Sequence, residues 1–387
     1  MTEKFFIKTF GCQQNVADSE RIEQFYRSRG FLPAETLEEA DVLILNTCVI
    51  RDKAEEKVYG MVRSLTERLG DKTPRIVITG CLIGAAVREP SGKLMKRLMK
   101  RLPEAEFLPL EEVGFEHTPV RAKGQMASIV ISNGCNNYCA FCIVPFSRGK
   151  ERSRAFADIV AEVKQAVADG YTEVTLLGQN VNSYGADFLL EKIKEGEEYE
   201  LPGGQKVQPI MVKHLNRHRI PTLFPYLLEG VALIPGLKKV TFISSNPWDF
   251  SDKLIDVMAR HKNVDRVLHL PVQSGSDAVL KRMNRWYTRT EYLSLVERIK
   301  SRIPDIQLTT DIIVGFPGET RAQFEESVDL VRRVDFAKTF IAWYSPRPGT
   351  TATKGLGDDI LIEEKQRRFH ELDAVAFKGK KSLKMAL

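Results

Sequence analysis

Ser128-Ile129-Val130-Ile131-Ser132-Asn133-Gly134-Cys135-Asn136-Asn137-Tyr138-Cys139-Ala140-Phe141-Cys142 joins an apolar run to three cysteines spaced C-x3-C-x2-C. A β-branched run closed by Asn and Gly reads as a strand that ends in a loop. A loop this short can wrap three thiolates round one corner of an iron–sulfur cube. The usual complement is four Cys, so one iron would lack a protein ligand and stand open to a substrate. The alternative is structural zinc, but zinc wants four closed ligands in paired C-x2-C units, and the nearest histidine is His117.

The other cysteines repeat the pattern upstream. Phe5 to Phe10 is a strand-like run that ends at Gly11-Cys12, Asp41 to Thr47 one that ends at Cys48, and Arg75 to Gly80 one that ends at Cys81. Helical patterns lie between them, such as Ser19 to Arg29, stopped by Gly30. In an open parallel sheet ligands gather outside the carboxyl ends of the strands, so Cys12, Cys48 and Cys81 are expected to converge. The bland alternative is three unrelated buried cysteines, since free Cys is among the most buried residue types.

Downstream, strand-like runs at Glu173–Leu177, Lys239–Ile243, Arg266–Leu270, Leu308–Val314 and Thr339–Tyr344 alternate with helical patterns such as Ala157–Ala168 and Arg321–Val334. That alternation predicts a parallel α/β barrel, whole or partial. Polar residues just past each strand would then face its mouth: Gln179 and Asn180, Ser244 and Ser245, Gln273 and Ser274, Asp311 and Glu319. Each of them reads equally well as a turn former or helix cap. The stretch Ala186–Pro225, with Leu201-Pro-Gly-Gly, interrupts the barrel and reads as an exposed hairpin or lid. The expected organisation is an open parallel-sheet domain over 1–120, a barrel over 121–372 with the insertion near 186–225, and a basic tail over 373–387.

The 387 residues, 43% hydrophobic and 28% charged, exclude a disordered or collagen-like chain. Glu3, Lys4 and Lys8 break the apolar stretch a secretory signal needs, and Thr222–Leu237 is interrupted by Glu229 and two prolines, so neither a signal nor a membrane span is expected. Six cysteines in such a chain suit metal ligands or reactive thiols better than disulfides. The net charge of +6 is compatible with a polyanionic partner without requiring one. Basic clusters stand at Lys93–Arg101, Arg148–Arg154, Lys213–Arg219 and Lys281–Arg289, the last with Trp286 and Tyr287 interleaved. The first also reads as the solvated face of a helix with Leu94, Met95 and Leu98 turned inward. The second, with Arg148, Lys150, Arg152 and Arg154, is the better candidate for RNA contact because it follows the cysteine loop.

With its aromatic Phe141 before the last cysteine, the loop resembles the signature of the radical S-adenosylmethionine (SAM) superfamily. Cys12, Cys48 and Cys81 match the ligands of the methylthiotransferase N-terminal domain. Phe146–Arg154, Leu176–Gly185, His269–Ser276, Thr309–Glu319 and Tyr344–Thr350 resemble the corresponding segments of tRNA methylthiotransferases of the MiaB type. The resemblance covers nearly the whole chain. It implies an α/β fold with an N-terminal open parallel sheet followed by a radical SAM partial (β/α) barrel. Two 4Fe-4S clusters are implied: one on Cys12, Cys48 and Cys81, carrying the sulfur to be inserted, and a SAM-binding one on Cys135, Cys139 and Cys142. At the barrel mouth SAM would sit against Gly178, Gln179, Asn180, Ser244, Gln273, Ser274 and Asp311, and the resemblance implies that one SAM yields a radical and another a methyl group.

The activity so implied is methylthiolation at carbon 2 of N6-isopentenyladenosine next to the anticodon in tRNA. Sister families act instead on N6-threonylcarbamoyladenosine or on an aspartate of ribosomal protein S12. A reading from another class is a non-catalytic iron–sulfur or zinc protein that binds RNA. The expected partners are a tRNA anticodon stem-loop, an electron donor such as flavodoxin or ferredoxin, and a sulfur source, in the cytoplasm. Family members usually continue into a small β-barrel, the TRAM domain; here the helical pattern from Ile362 to Leu372 passes into a basic stretch with no alternating strands, so that barrel is expected to be absent.

Overall fold

The computed structural model describes residues 2–49, 54–115, 117–121, 124–190, 196–214 and 218–377. The basic stretch 378–387 and part of the Lys213–Arg219 cluster lie outside the described residues. The chain divides into two compact units. Unit 1 comprises Met1–Gly124 and Ile143–Lys150, and unit 2 comprises Gln125–Cys142 and Glu151–Ala386. Among the described residues no helix is long and apolar enough to cross a membrane.

Unit 1 is built on β1 (Lys4–Thr9), α1 (Gln13–Arg27), β2 (Leu32–Pro33), β3 (Val42–Thr47), α2 (Ala54–Leu69), β4 (Arg75–Gly80), α3 (Cys81–Arg88), α4 (Lys93–Arg101) and β5 (Ala105–Leu108). A later helix, α5 (Val144–Arg148), belongs to the same unit. The sheet order is β2-β1-β3-β4-β5, with every neighbouring pair parallel. Alternation sorts the side chains onto two faces. Leu43, Leu45, Ile76 and Ile78 pack with Val58, Val62, Leu82 and Leu98 from the helices α2 to α4. Phe5, Val42, Ile44 and Val77 pack on the other face with Ile22 and Phe25 of α1. All six residues of β3 are buried, as a central strand covered on both sides requires. Leu98 of α4 is fully buried, with Leu94 and Met95 packed alongside, so the Lys93–Arg101 charges form the outer face of an amphipathic helix.

Unit 2 strings together β6 (Met126–Val130), α6 (Phe156–Ala168), β7 (Glu173–Leu177), α7 (Phe224–Ala232), β8 (Lys239–Phe242), α8 (Asp252–Arg260) and β9 (Val267–His269). It continues through α9 (Asp277–Arg282), α10 (Arg289–Arg302), β10 (Gln307–Val314), α11 (Arg321–Val334), β11 (Lys338–Trp343) and α12 (Ile362–Ala376). Two three-stranded parallel sheets, β6-β7-β8 and β9-β10-β11, are joined by a parallel bridge from Val240 to Val264. Six strands thus follow one another in chain order with helices between, a partial (β/α) barrel. One continuous core runs through it, from Ile129 and Leu176 to Val314 and Phe336. The insertion forms a short helix, Ala186–Leu189, and two antiparallel hairpins, Tyr199–Glu200 with Lys206–Val207 and Ile210–His214 with His218–Thr222.

Candidate active site

In unit 1 the strand order reverses direction of growth between β1 and β3, and the three cysteines stand just past β1, β3 and β4. That is where an open sheet leaves a crevice. Asn15, one turn into α1, ties the three stations together. Its Oδ1 lies 3.4 Å from Cys12 Sγ and accepts from the Cys12 N–H at 3.3 Å. Its Nδ2 lies 3.2 Å from the Thr47 carbonyl, one residue before Cys48, and 3.9 Å from Cys81 Sγ. Asn46 returns the bond by donating to the Asn15 carbonyl at 2.7 Å. Two glycines make the approach possible. A Cβ on Gly11 would meet Cys48 Cβ at 2.9 Å, and one on Gly80 would meet the Thr47 carbonyl at 2.4 Å, both at positive φ.

A buried ion pair stands beside this trio. Arg148 of α5 donates to Asp18 Oδ2 at 2.6 Å, and their side chains are 2% and 12% exposed. Burial opposes the Arg148 charge, but Asp18, Cys81 and Cys12 outweigh it and hold its pKa above the ordinary arginine value. Burial in turn pushes the Cys81 thiol up; Arg148 opposes that, while Cys48, Asp18 and Cys12 add to it. The expectation that Arg148 and Arg154 contact RNA is therefore corrected. Arg148 is buried on Asp18, and Arg154, 8% exposed, pairs with Glu162 at 2.5 Å and donates to the Val130 carbonyl at 2.8 Å. A buried guanidinium needs an anion of its own, and both have found one inside the protein. Lys150 and Arg152 are exposed.

In unit 2 the loop after β6 gathers the second trio. Cys135 is buried, and its thiol is pushed well above its usual range by burial first, then by Glu151, with Cys142 and Cys139 adding to the shift. The loop is pinned by backbone bonds, Ala140 N–H to the Met283 carbonyl at 2.9 Å and Ala352 N–H to the Ala140 carbonyl at 2.8 Å. Asn284 donates to the Tyr138 carbonyl at 2.9 Å. Against Cys139 lies Arg285, whose Nη1 is 3.6 Å from its sulfur. The Lys281–Arg289 cluster is thus largely turned inward rather than offered to RNA. Arg285 and Tyr287 are buried, Arg282 binds the Pro317 and Gly318 carbonyls, and Arg289 pairs with Asp329.

The residues past the other strands divide. Gly178 lies against Ser132, whose Oγ has no hydrogen-bond partner, and the buried oxygens Gln179 Oε1, Asn180 Oδ1, Asn182 Oδ1 and Asp249 Oδ1 have none either. Asn180 donates to Asp249 Oδ2 at 2.7 Å. Ser244 and Gln273 hold positive φ, 69° and 68°, an uncommon conformation that aims side chains out of a strand end. His269 Nε2 donates to Asp311 Oδ2 at 3.2 Å. Two expectations fail. Ser274 is fully buried with its Oγ 3.4 Å from Ser327 of α11, and Glu319 is buried on Arg368 of α12 at 2.8 Å. Both fasten helices to the barrel. Missed from sequence were Asn15, Asp18, Asp249 and Arg285; the C-x2-N spacing of Cys12 and Asn15 is the one local signal that could have flagged any of them.

The donor sets suit iron–sulfur clusters. Each is three cysteines without histidine, and a thiol that burial keeps protonated gives up its proton to a coordinated metal. A cubane spreads its ligands over separate irons. The orphaned acceptors near Asn180 suit a polar cofactor rich in donors.

Asp249 carries a measurable consequence. Burial pushes its carboxyl up to about 8, against the opposing hydrogen bond from Asn180 and the more distant Arg285 charge. A carboxyl whose folded pKa lies above its unfolded value, roughly 4, keeps its proton in the fold after the unfolded chain has released it. The resulting stability is full below the unfolded pKa and is lost as pH rises toward the folded one. Urea unfolding of the cofactor-free chain is expected to show a fall in stability between pH 5 and pH 8 that Asp249→Asn makes smaller. Equal falls in the two proteins would contradict this.

Comparison with known proteins agrees with both units. The Radical SAM superfamily model matches residues 129–331, and that of the uncharacterized protein family UPF0004 matches residues 4–99. Among solved structures, the radical SAM methyltransferase TsrM from Kitasatospora setae, with cobalamin and a [4Fe-4S] cluster bound, superposes with a TM-score of 0.58 at 14% identity, covering 91% of this chain and 77% of that one. The cobalamin-dependent radical SAM enzyme OxsB, with aqua-cobalamin and S-adenosylmethionine bound, gives 0.54 at 11% identity, over 97% of this chain and 56% of that one. At such identities the likeness is one of fold. The fold and the two cysteine trios define a radical SAM protein with an N-terminal UPF0004 unit.

Curated relatives narrow the class. A tRNA-2-methylthio-N6-dimethylallyladenosine synthase of Thermotoga petrophila is 40% identical over 390 residues, 95% of this chain and 80% of the relative. That of Carboxydothermus hydrogenoformans is 41% identical over 401 residues, 96% of this chain and 83% of the relative. The chain belongs to the family of tRNA-2-methylthio-N6-dimethylallyladenosine synthases, which are radical SAM methylthiotransferases with 4Fe-4S clusters and SAM as cofactors.

Proposed function

We propose that this protein methylthiolates carbon 2 of N6-isopentenyladenosine (N6-dimethylallyladenosine) in the anticodon stem-loop of tRNA. The observation that carries the reading is a trio of cysteines in each unit, both on backbone fixed by strand ends, in a chain about 40% identical to curated synthases of that name. Cys135, Cys139 and Cys142 hold the cluster that binds SAM, and Cys12, Cys48 and Cys81 hold the second. When bound, cluster and SAM supply one-electron bond cleavage, chemistry that belongs to the cofactor.

The chain's own work is to hold, orient and exclude. Asn15 fixes the Cys12 and Cys81 side chains, and the Met283–Arg285 segment fixes the Cys135–Cys142 loop. Gly178, Gln179, Asn180, Ser244, Gln273 and Asp311 border the SAM site. Asp249 keeps a proton on its carboxyl at neutral pH and so adds no charge there. The apolar core behind the mouth keeps water from the reacting carbon. Lys150 and Arg152 are the exposed cations of the Arg148–Arg154 cluster left to meet phosphate. The proposed electron donor is a low-potential one-electron carrier such as flavodoxin or ferredoxin. A separate sulfur source replenishes the second cluster, and the setting is the cytoplasm.

Mass spectrometry of nucleosides tests the reading. Expressed in a bacterium whose own methylthiotransferase gene is deleted, the protein is expected to restore 2-methylthio-N6-isopentenyladenosine to tRNA. A methylthio group on threonylcarbamoyladenosine instead would move it to the sister family, and an unmodified nucleoside pool would overturn the reading.

A further inference from the structure

The guanidinium of Arg285 is buried, and each of its three nitrogens has a partner. Nη2 donates to the Pro271 carbonyl at 2.7 Å, Nε donates to Tyr287 Oη at 3.0 Å, and Nη1 points at Cys139 Sγ at 3.6 Å. The Trp248 and Tyr287 rings, stacked on each other with centroids 5.7 Å apart, lie 4.7 and 5.3 Å from its central carbon. Tyr287 in turn donates to the Val272 carbonyl at 2.5 Å. The head group is fixed in position, with no slack for a rotamer change.

Its charge is unbalanced by any carboxylate. Among the described residues no carboxylate forms an ion pair with it; its partners are the Tyr287 hydroxyl, the Pro271 carbonyl and the Cys139 sulfur. Arg148 offers the contrast, since Asp18 neutralises it directly. A buried, uncompensated cation is strongly unfavourable, and the group its Nη1 faces is the Cys139 sulfur, which becomes a thiolate when it ligates a metal.

We propose that Arg285 is the counter-ion of the iron–sulfur cluster on Cys135, Cys139 and Cys142, a positioning residue that binds the Cys139 corner and raises the cluster's reduction potential. This rests on the cluster assignment above. Reduction adds one electron, delivered by the external donor, to an already anionic cluster. Arg285 exchanges neither proton nor electron and makes or breaks no bond. Its fixed positive charge and its N–H toward sulfur favour the reduced form, and charge and hydrogen bonds to sulfur are among the factors that set such potentials.

The test uses the full chain with Cys12, Cys48 and Cys81 changed to alanine, so that one cluster is read, reconstituted anaerobically and titrated with dithionite by electron paramagnetic resonance. Arg285→Gln is expected to keep its iron and lower the midpoint by at least about 59 mV, a tenfold loss in the reduction equilibrium. Arg285→Lys, which keeps a charge, is expected to fall less. Equal midpoints for the parent and Arg285→Gln would overturn the proposal. If Arg285→Gln loads no iron while Arg285→Lys does, the counter-ion role stands; if neither loads, Arg285 serves folding alone and the proposal fails. A parent that holds no cluster with a SAM-responsive spectrum would overturn the cluster assignment itself.

Discussion

Changing Cys135, Cys139 and Cys142 together to alanine is expected to lower the iron of the anaerobically reconstituted chain from about eight atoms to about four, and to abolish methylthiolation. The two trios belong to different compact units, each with its own core, so loss of one cluster need not unfold the frame of the other. The converse triple change at Cys12, Cys48 and Cys81 is expected to leave about four irons too, with SAM cleavage retained but no sulfur inserted. Iron and sulfide analysis, SAM cleavage and tRNA nucleoside analysis on the same preparations separate the cases. About four irons in the unmodified chain, falling to none with the first triple change, would refute a cluster on Cys12, Cys48 and Cys81. Zinc in place of iron would refute both.

The second large effect concerns Arg148. Removing one partner of a buried ion pair leaves the other's charge desolvated, at a cost of about 3–5 kcal/mol, so Arg148→Met strands Asp18 inside unit 1. The backbone just before it is also held in its unit: the Ser147 carbonyl accepts from Arg88 at 2.9 Å, and Ser147 lies against Gly84 of α3. A fall in the melting temperature on the order of 10 °C is expected. Replacing both charges, Arg148→Met with Asp18→Leu, removes the stranded carboxylate and is expected to recover much of the loss, because an apolar pair can substitute for a buried ionic one. Calorimetry of the single and double variants decides it. A single variant that melts with the wild type would mean that water reaches Asp18 once the guanidinium is gone.

Most of the scaffold was legible. Arg75–Gly80, Glu173–Leu177 and Arg321–Val334 have the bounds their periodicity implies, and the six other strands read, at 5–10, 41–47, 239–243, 266–270, 308–314 and 339–344, agree to within one residue at each end. Strands buried on both faces are written as unbroken β-branched runs, and their ends carry Gly, Cys or polar residues, so local pattern and global position agree. The short edge strands β2 and β5 were not read, since a two-residue strand such as Leu32–Pro33 has no period to detect. The helix expected from Ser19 begins instead at Gln13, because Cys12 opens it at the end of β1.

The basic clusters show where such reading fails. Arg148 and Lys150, like Arg285 and Lys281, are neighbours in sequence and charged alike, yet one of each pair is buried and the other exposed. Burial of a charge is decided by whether a partner waits at the right place, and those partners are remote in the chain. Asp18 lies 130 residues from Arg148, and Cys139 lies 146 from Arg285. The Asn180–Asp249 bond spans 69.

By itself the sequence determined the succession of strands and helices, the station of all six cysteines, and the family to which their spacing belongs. These follow from period, from breakers and from residue identity, which act within a few neighbours along the chain. Which cations are buried, which carboxyl keeps its proton and which asparagine clamps two cysteines were decided only by the tertiary structure. Desolvation and pairing act through space, over distances that chain separation does not encode.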